Sequence, residues 1–417
     1  MVRLILVVVA AVSLVASVHA DALNLLRAGL AARVRGDFNT AIAYYTQAID
    51  TGELTQAQLA VVLNSRGVAC DFIGESDKAI GDFNAAIQIN ADYGEAYINR
   101  GLAWVKKHDY DRAVADFTAA IRDERFSILA FNNRANIYAD KGDYVRAIED
   151  YSQAIRLKSD YADAYYGRAN IYGELGETEK ALADFNAAIG ANPDFQPAYV
   201  NRSVLKMARG DPDGAITDLD AAVRLNPNDA MTFSNRAYAY QVKGEYDRAV
   251  PDLDQAVRLN PFSETVYLNR GVARLYLGRT EGAIQDFATA VRLRTSDAYA
   301  VIWLHLARVR AGQDDRTELA GNAARIDRAN WPGPLVDRYL GTSSDDSVRG
   351  AALSNGGKKE KRKRACEAEF YLATFDLEQS SREEAQQHLR AAADVCAVGG
   401  IEFIAVRATA AEMNSNP

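Results

Sequence analysis

One spacing dominates this chain. Seven times, at intervals of 34 residues, an Arg is followed sixteen positions later by an Asp: Arg66/Asp82, Arg100/Asp116, Arg134/Asp150, Arg168/Asp184, Arg202/Asp218, Arg236/Asp252 and Arg270/Asp286. A period of this size signals one supersecondary unit used repeatedly, each too small to bury its apolar face without a stacked neighbour. Around each pair the apolar residues recur at helical spacing and are interrupted once, at Gly74, His108, Gly142, Gly176, Gly210, Gly244 or Gly278. Each unit therefore reads as two antiparallel helices joined by a tight turn. The expected class is all-α, and a stack of hairpins offers a long surface rather than a central catalytic cleft.

Five residues beyond each turn stands a small residue: Ala79, Ala113, Ala147, Ala181, Ala215, Ala249 or Ala283. A large apolar residue follows: Phe83, Phe117, Tyr151, Phe185, Leu219, Leu253 or Phe287. A second Ala comes next, from Ala86 to Ala290, and Pro193, Pro227 and Pro261 close three of the units. Small residues let helices approach and aromatic ones fill what remains. The pattern resembles the tetratricopeptide repeat (TPR) family. That resemblance implies a right-handed superhelical solenoid whose first helices line a concave wall. A further unit at 21–50 has Gly29, Gly36, Ala41, Tyr45 and Ala48 in step, and Ala298 to Arg325 keeps part of the pattern. The solenoid is thus expected over 21–312, about nine hairpins with the last one partial, followed by a degenerate stretch with one short helix at 313–341.

The charged pair behaves as a unit. The front segment has Ala28 and Tyr44 in its two places, and the segment after the seventh has Leu304 and Ala320. Charges that appear and vanish together imply a partly buried ion pair clamping the two helices, and a planar guanidinium can hold a carboxylate with two hydrogen bonds. Just before each Arg come Ser65, Asn99, Asn133, Gly167, Asn201, Asn235 and Asn269. Asn64, Asn132, Asn136, Asn170, Tyr166 and Tyr238 are expected to share that face. This column is similar to the asparagine ladder in the TPR arm of O-linked N-acetylglucosamine transferases, which implies contact with an extended peptide backbone. Asn offers both a donor and an acceptor for such contact. The same ladder is compatible with bonds between neighbouring hairpins that stiffen the stack.

Residues 1–20 read as a signal peptide. Met1-Val2-Arg3 is basic, Leu4 to Val15 is almost wholly apolar, and Val18-His19-Ala20 suits cleavage before Asp21. The apolar part is shorter than the roughly 20 residues that span a bilayer, so no membrane span is expected after cleavage, although an uncleaved anchor is the alternative. Export to a periplasmic or extracellular space follows. A net charge of −8 argues against nucleic acid as partner. His19, His108, His305 and His388 stand apart from metal-ligand spacings, and no phosphate loop, HExxH helix or GxSxG elbow occurs. The expectation is a non-enzymatic protein without cofactor or metal. Its partners would be proteins or extended peptides, and a homodimer is compatible with the sequence. Arg35-Gly36-Asp37 and Arg209-Gly210-Asp211 are read as ordinary turns.

Residues 342–364 read as a flexible basic linker: a Ser-, Gly- and Asp-rich run, then Lys358-Lys359-Glu360-Lys361-Arg362-Lys363-Arg364. The basic run also suggests an alternative role as a structural element on a cell wall or membrane surface. Ala365 to Cys396 returns to the hairpin pattern, with Cys366 and Cys396 symmetric about its turn, so a disulfide is expected in an oxidising compartment. Cys70 is read as a buried thiol. Ile401 to Met413 is read as a capping helix. Trp331-Pro332-Gly333-Pro334-Leu335-Val336 and Cys366-Glu367-Ala368-Glu369-Phe370-Tyr371-Leu372 resemble periplasmic TPR proteins of the NlpI type. That likeness implies an envelope adaptor that brings hydrolases to a processing protease. The lipidated Cys of that group is absent and the repeat array is longer.

Overall fold

The computed structural model describes residues 21–396, together with 405, 406, 408–410 and 413. The signal segment and most of the capping helix lie outside the described residues. Every regular element among the described residues is helical. The chain divides into two units, Met1–Pro193 and Asp194–Pro417.

In the first unit a helix over 21–34 pairs with Phe38–Asp50. Four hairpins follow: Gln56–Phe72 with Ser76–Ile89, Gly94–Lys106 with Tyr110–Ala120, Ser127–Asp140 with Tyr144–Leu157, and Ala162–Glu174 with Thr178–Ala191. The second unit continues the scheme with Gln196–Ala208 and Pro212–Leu225, Ala230–Lys243 and Tyr246–Leu259, Glu264–Tyr276 and Thr280–Leu293, then Ala298–Arg310 and Arg316–Ala323. Four more helices follow among the residues described up to 396: Gly333–Tyr339, Asp345–Leu353, Lys358–Glu378 and Arg382–Val395.

The turns explain why the hairpins close where they do. Gly142 and Gly210 adopt φ of 74° and 76°, a left-handed conformation that ends the first helix without a Cβ penalty. Asp143 and Asp211 then cap the second helix by accepting from the amides of Arg146 and Gly214. Both Arg-Gly-Asp tripeptides are turns of this kind, with Asp37 likewise accepting from Thr40. His108 carries the same left-handed φ, 59°, without being glycine.

Inside each repeat hairpin a large apolar residue meets a small one. The rings of Phe83, Phe117 and Phe287 lie where a Cβ on Gly67, Gly101 or Gly271 would come within 2.5–2.6 Å of a ring carbon. Where the large residue is Leu219 or Leu253, the facing place holds Ser203 or Ala237 instead. Tyr151 and Phe185 face Ala135 and Ala169 at the same place, so in these seven hairpins the facing residue is always small but is glycine only opposite three of the rings.

Most of the stretch expected to be a flexible basic linker, 345–353 and 358–364, is helical. Ser344 caps Asp345–Leu353 by accepting from Ser347 N–H, and Asp345 and Asp346 complement its N-terminal dipole. What reads by composition as a loop is therefore a helix start. Val348 and Ala352 bury their side chains, and the basic run forms the first turns of Lys358–Glu378, with Arg362 donating to the carbonyl of Val395. The tail is packed rather than tethered. Trp303 stacks on Phe287 and tilts against Phe370, and one apolar cluster extends from Val272 through Val336 and Tyr371 to Leu389. A disulfide joins Cys366 to Cys396, and Cys70 is buried with its thiol pKa raised by that burial.

Candidate functional site: the wall of first helices

All seven Arg/Asp pairs meet as two-point contacts. Nε and Nη2 donate to the two carboxylate oxygens at 2.8 and 2.7 Å for Arg66 on Asp82, and at 2.9 and 2.6 Å for Arg100 on Asp116. The distances are 2.7 and 2.8 Å for Arg134 on Asp150, and 2.7 and 2.9 Å for Arg168 on Asp184. They are 2.9 and 2.6 Å for Arg202 on Asp218, 2.7 and 2.6 Å for Arg236 on Asp252, and 3.0 and 2.6 Å for Arg270 on Asp286.

Partial burial, expected for both partners, holds for the arginines alone. Asp82, Asp116, Asp150, Asp184, Asp218, Asp252 and Asp286 are all buried, whereas the seven arginines are half-buried. The difference has a physical cause. The short carboxylate stays beneath the facing helix, while the longer arginine stem carries its guanidinium outward to the edge of the hairpin. A buried carboxylate needs its charge matched by donors on both oxygens, which the guanidinium fork supplies. These seven Asp residues therefore belong to the interior and do not reach the surface that a partner would touch. Each guanidinium from Arg100 to Arg270 also lies 5.4–5.8 Å from the ring three residues before it, such as Tyr97 or Phe131. A flat cation beside a ring and across a carboxylate is a geometry that Lys could not reproduce.

The remaining nitrogen does something the sequence reading missed. Nη1 of Arg66, Arg100, Arg134, Arg168, Arg236 and Arg270 donates to Thr46, Asn84, Thr118, Ser152, Asp220 and Asp254, each on the second helix of the preceding hairpin. Each of these Arg residues thus binds two hairpins. The signal was present as a polar column immediately after the large apolar residue. Lys107, Lys141 and Lys243 add bridges at the turn edge to Asp77, Asp111 and Asp213 of the hairpin before.

On this rigid backing the predicted wall residues occupy the middles of the first helices. Positions such as 129, 132, 133 and 136 fall on one helical face, and neighbouring first helices touch through it. Asn99 Nδ2 donates to Asn64 Oδ1 at 3.0 Å, so this ladder member serves the stack. Asn132 is buried, Asn133 half-buried and Asn136 exposed, with Asn136 Oδ1 accepting from the Tyr151 hydroxyl. Tyr166 and Asn170 are half-buried on the next helix, and the Tyr166 ring leans on Phe185 of its own hairpin. In the second unit Asn201, Asn235, Tyr238 and Asn269 are half-buried on three successive first helices. Between the amides, Leu102, Leu129, Val204 and Met231 stand exposed. The wall can therefore offer paired donors and acceptors to a backbone, with apolar contacts beside them.

Comparison with known families decides what these hairpins are. Tetratricopeptide repeat models match residues 135–176, 162–195, 200–264 and 234–300. The chain is a TPR protein. TPR arrays are protein-interaction scaffolds. Among solved structures, YrrB, a TPR protein with an unusual peptide-binding site, is 24% identical over 44% of this chain and 95% of its own, at a TM-score of 0.41. A tetratricopeptide repeat protein from Parabacteroides merdae is 21% identical over 60% of this chain and 99% of its own, at 0.43. MamA is 22% identical over 41% and 93%, at 0.37. At these TM-scores the likenesses say nothing of what this TPR protein binds. No curated protein matches the sequence significantly. No helix among the described residues is long and apolar enough to cross a membrane.

Proposed function

We propose that this TPR protein is an exported, non-catalytic scaffold that holds extended polypeptide segments of its partners along the first-helix wall. The observation that carries the reading is a file of amide and exposed apolar side chains mounted on hairpins whose Arg residues bond both within and between repeats. A stiff surface loses little conformational freedom on binding, which favours capture of a flexible strand. Export is supported by the apolar N-terminal segment with its small-residue cleavage site and by the Cys366–Cys396 bridge, which persists in oxidising compartments. Service as an envelope adaptor between hydrolases and a protease is the most specific form of the proposal, resting on the NlpI-type residues noted above.

The test uses the signal-free chain. Partners captured by crosslinking in the native envelope fraction are identified, and their extended segments are synthesised. Affinity for those peptides is compared between the parent and the triple variant Asn133→Ala, Asn201→Ala, Asn235→Ala. A correctly folded variant that has lost most of its affinity supports the reading. Unchanged affinity assigns these amides to the stack alone.

A further inference from the structure

A second site stands apart from the wall, at the turn edge of the second unit. There a pocket of ≈ 920 Å³ opens among helix ends, lined by His305, Asp314, Asp315, Arg316, Phe375 and Glu378 among others. Three helices point their C-termini at it: Ala298–Arg310, Gly333–Tyr339 and Lys358–Glu378, whose end residues Gly312, Leu340, Gly341 and Gln379 form part of the lining. Helix C-termini carry unpaired carbonyls and a partial negative charge. Among the described helices only the short Arg316–Ala323 presents its positive end there. Three carboxylates, from Asp314, Asp315 and Glu378, face two basic groups, His305 and Arg316.

The carboxylates are not fully used. Asp315 holds His305 Nδ1 at 2.8 Å, while Glu378 Oε2 lies 3.4 Å from Nε2. Glu378 Oε1 is buried and receives no hydrogen bond, which leaves a charged acceptor desolvated without compensation. Burial draws the His305 imidazole toward its neutral form, yet Glu378 and Asp315 outweigh it and hold the pKa above its usual value. The local field is negative enough to retain a proton against desolvation. Phe375, one of whose faces already carries Arg338 at 3.8 Å, supplies an aromatic wall of the kind that accepts cations.

We propose that this pocket receives the cationic side chain of a partner polypeptide, a lysine ammonium or an arginine guanidinium, with Glu378 taking a hydrogen bond from it. The site is independent of the asparagine wall. It gives the scaffold a second foothold with different chemistry, selecting basic residues where the wall offers amides and apolar groups.

The probes are Nα-acetyl-lysine methylamide and its arginine counterpart, titrated into the full chain and followed by the ring resonances of His305. The norleucine analogue, Nε-acetylated lysine and the glutamate analogue are the controls. Saturable shifts with a basic probe, absent with every control, are expected, and the stronger of the two identifies the preferred group. Glu378→Gln should weaken binding roughly ten- to hundredfold, the loss of a charge-assisted hydrogen bond. Asp314→Asn, on the exposed rim, should weaken it a few-fold while the melting curve is unmoved, which guards against a folding defect in the first variant. Binding of acetylated lysine or of the glutamate analogue as tight as lysine, equal affinity in Glu378→Gln, or no saturable binding by either basic probe overturns the proposal. The asparagine-wall reading would survive each of those results.

Discussion

Arg134 and Asp150 face each other across one hairpin, joined at 2.7 and 2.8 Å, while the third arm of Arg134 reaches Thr118 at 2.9 Å in the hairpin before. The Asp150 carboxylate keeps only 7% of its side-chain surface exposed. Removing the arginine leaves that charge without a partner, so Arg134→Leu should cost on the order of 3–5 kcal/mol. The double variant with Asp150→Leu should recover most of the loss. Thr118→Val, which deletes the link from Arg134 together with the hydroxyl's own bond to the Val114 carbonyl, should cost about 1 kcal/mol. Denaturant unfolding ranks the three, and equal losses in the single and double leucine variants would contradict the clamp.

Gly101 gives a sharper packing test. Its missing Cβ would lie 2.6 Å from Cε1 of Phe117, so Gly101→Ala should destabilise by roughly 1–3 kcal/mol despite the higher helix propensity of alanine. Adding Phe117→Leu should relieve the strain, since Ala237 already faces Leu253 in another hairpin. Melting temperatures of the single and double variants decide it. A fully neutral single variant would mean the ring moves aside at no cost.

The disulfide closes a loop with its ends 30 residues apart in sequence. By loop-closure entropy Cys366→Ser should lower stability by about 3–4 kcal/mol. The loss should appear in hydrogen exchange of Arg382–Val395 before it appears near the N-terminus, since distant hairpins share no contacts with the bridge.

His388 predicts a pH profile for the C-terminal hairpin. Its Nδ1 lies 2.6 Å from Glu369, and its Nε2 lies 3.4 Å from Asp376 and 3.6 Å from Asp345. Arg349 Nε donates to Glu369 Oε1 at 2.8 Å while its Nη2 lies 3.3 Å from Oε2 and 3.1 Å from His388 Nδ1, and Arg338 pairs with Asp345 at 2.7 Å. The hydrogen bond to Glu369 raises the imidazole above its usual 6.5, so this contribution is complete below 6.5 and is lost as pH climbs through the raised value. Burial opposes ionisation of Glu369, but His388 and Arg349 bring it down from 4.5 to about 2. That second contribution is complete above 4.5 and fades as pH falls toward 2. Unfolding followed across pH should show both edges, and His388→Gln should abolish the alkaline one.

The period and turn glycines made the hairpins legible, because a two-helix unit of fixed length admits few alternatives once its small and large residues recur in step. The internal Arg/Asp spacing was legible for the same reason, although spacing alone could not tell that the carboxylates, Asp218 and Asp286 among them, lie deeper than their arginines. What escaped was the link from one hairpin to the next: Thr118 and Ser152 are unremarkable polar residues until a guanidinium lies 16 positions downstream in contact with them. Residues 342–364 misled because Ser and Asp favour loops and helix starts alike, and only the burial of Val348 and Ala352 separates the two. Asn99 shows the limit of reading a ladder from one column, since its amide is committed to Asn64, a residue in a different column. The pocket beside His305 had no linear signature at all, because its walls come from the ends of helices far apart in the chain.

The six arginines that reach back one hairpin have a consequence for how such an array ages and adapts. A hairpin inside either unit cannot swing open alone, since doing so breaks bonds belonging to its neighbour as well. Loosening must start where a hairpin lacks a following arginine, and it travels inward one step at a time. Accommodation of differently shaped visitors then falls to the visitors themselves, which must bend to a surface that yields little.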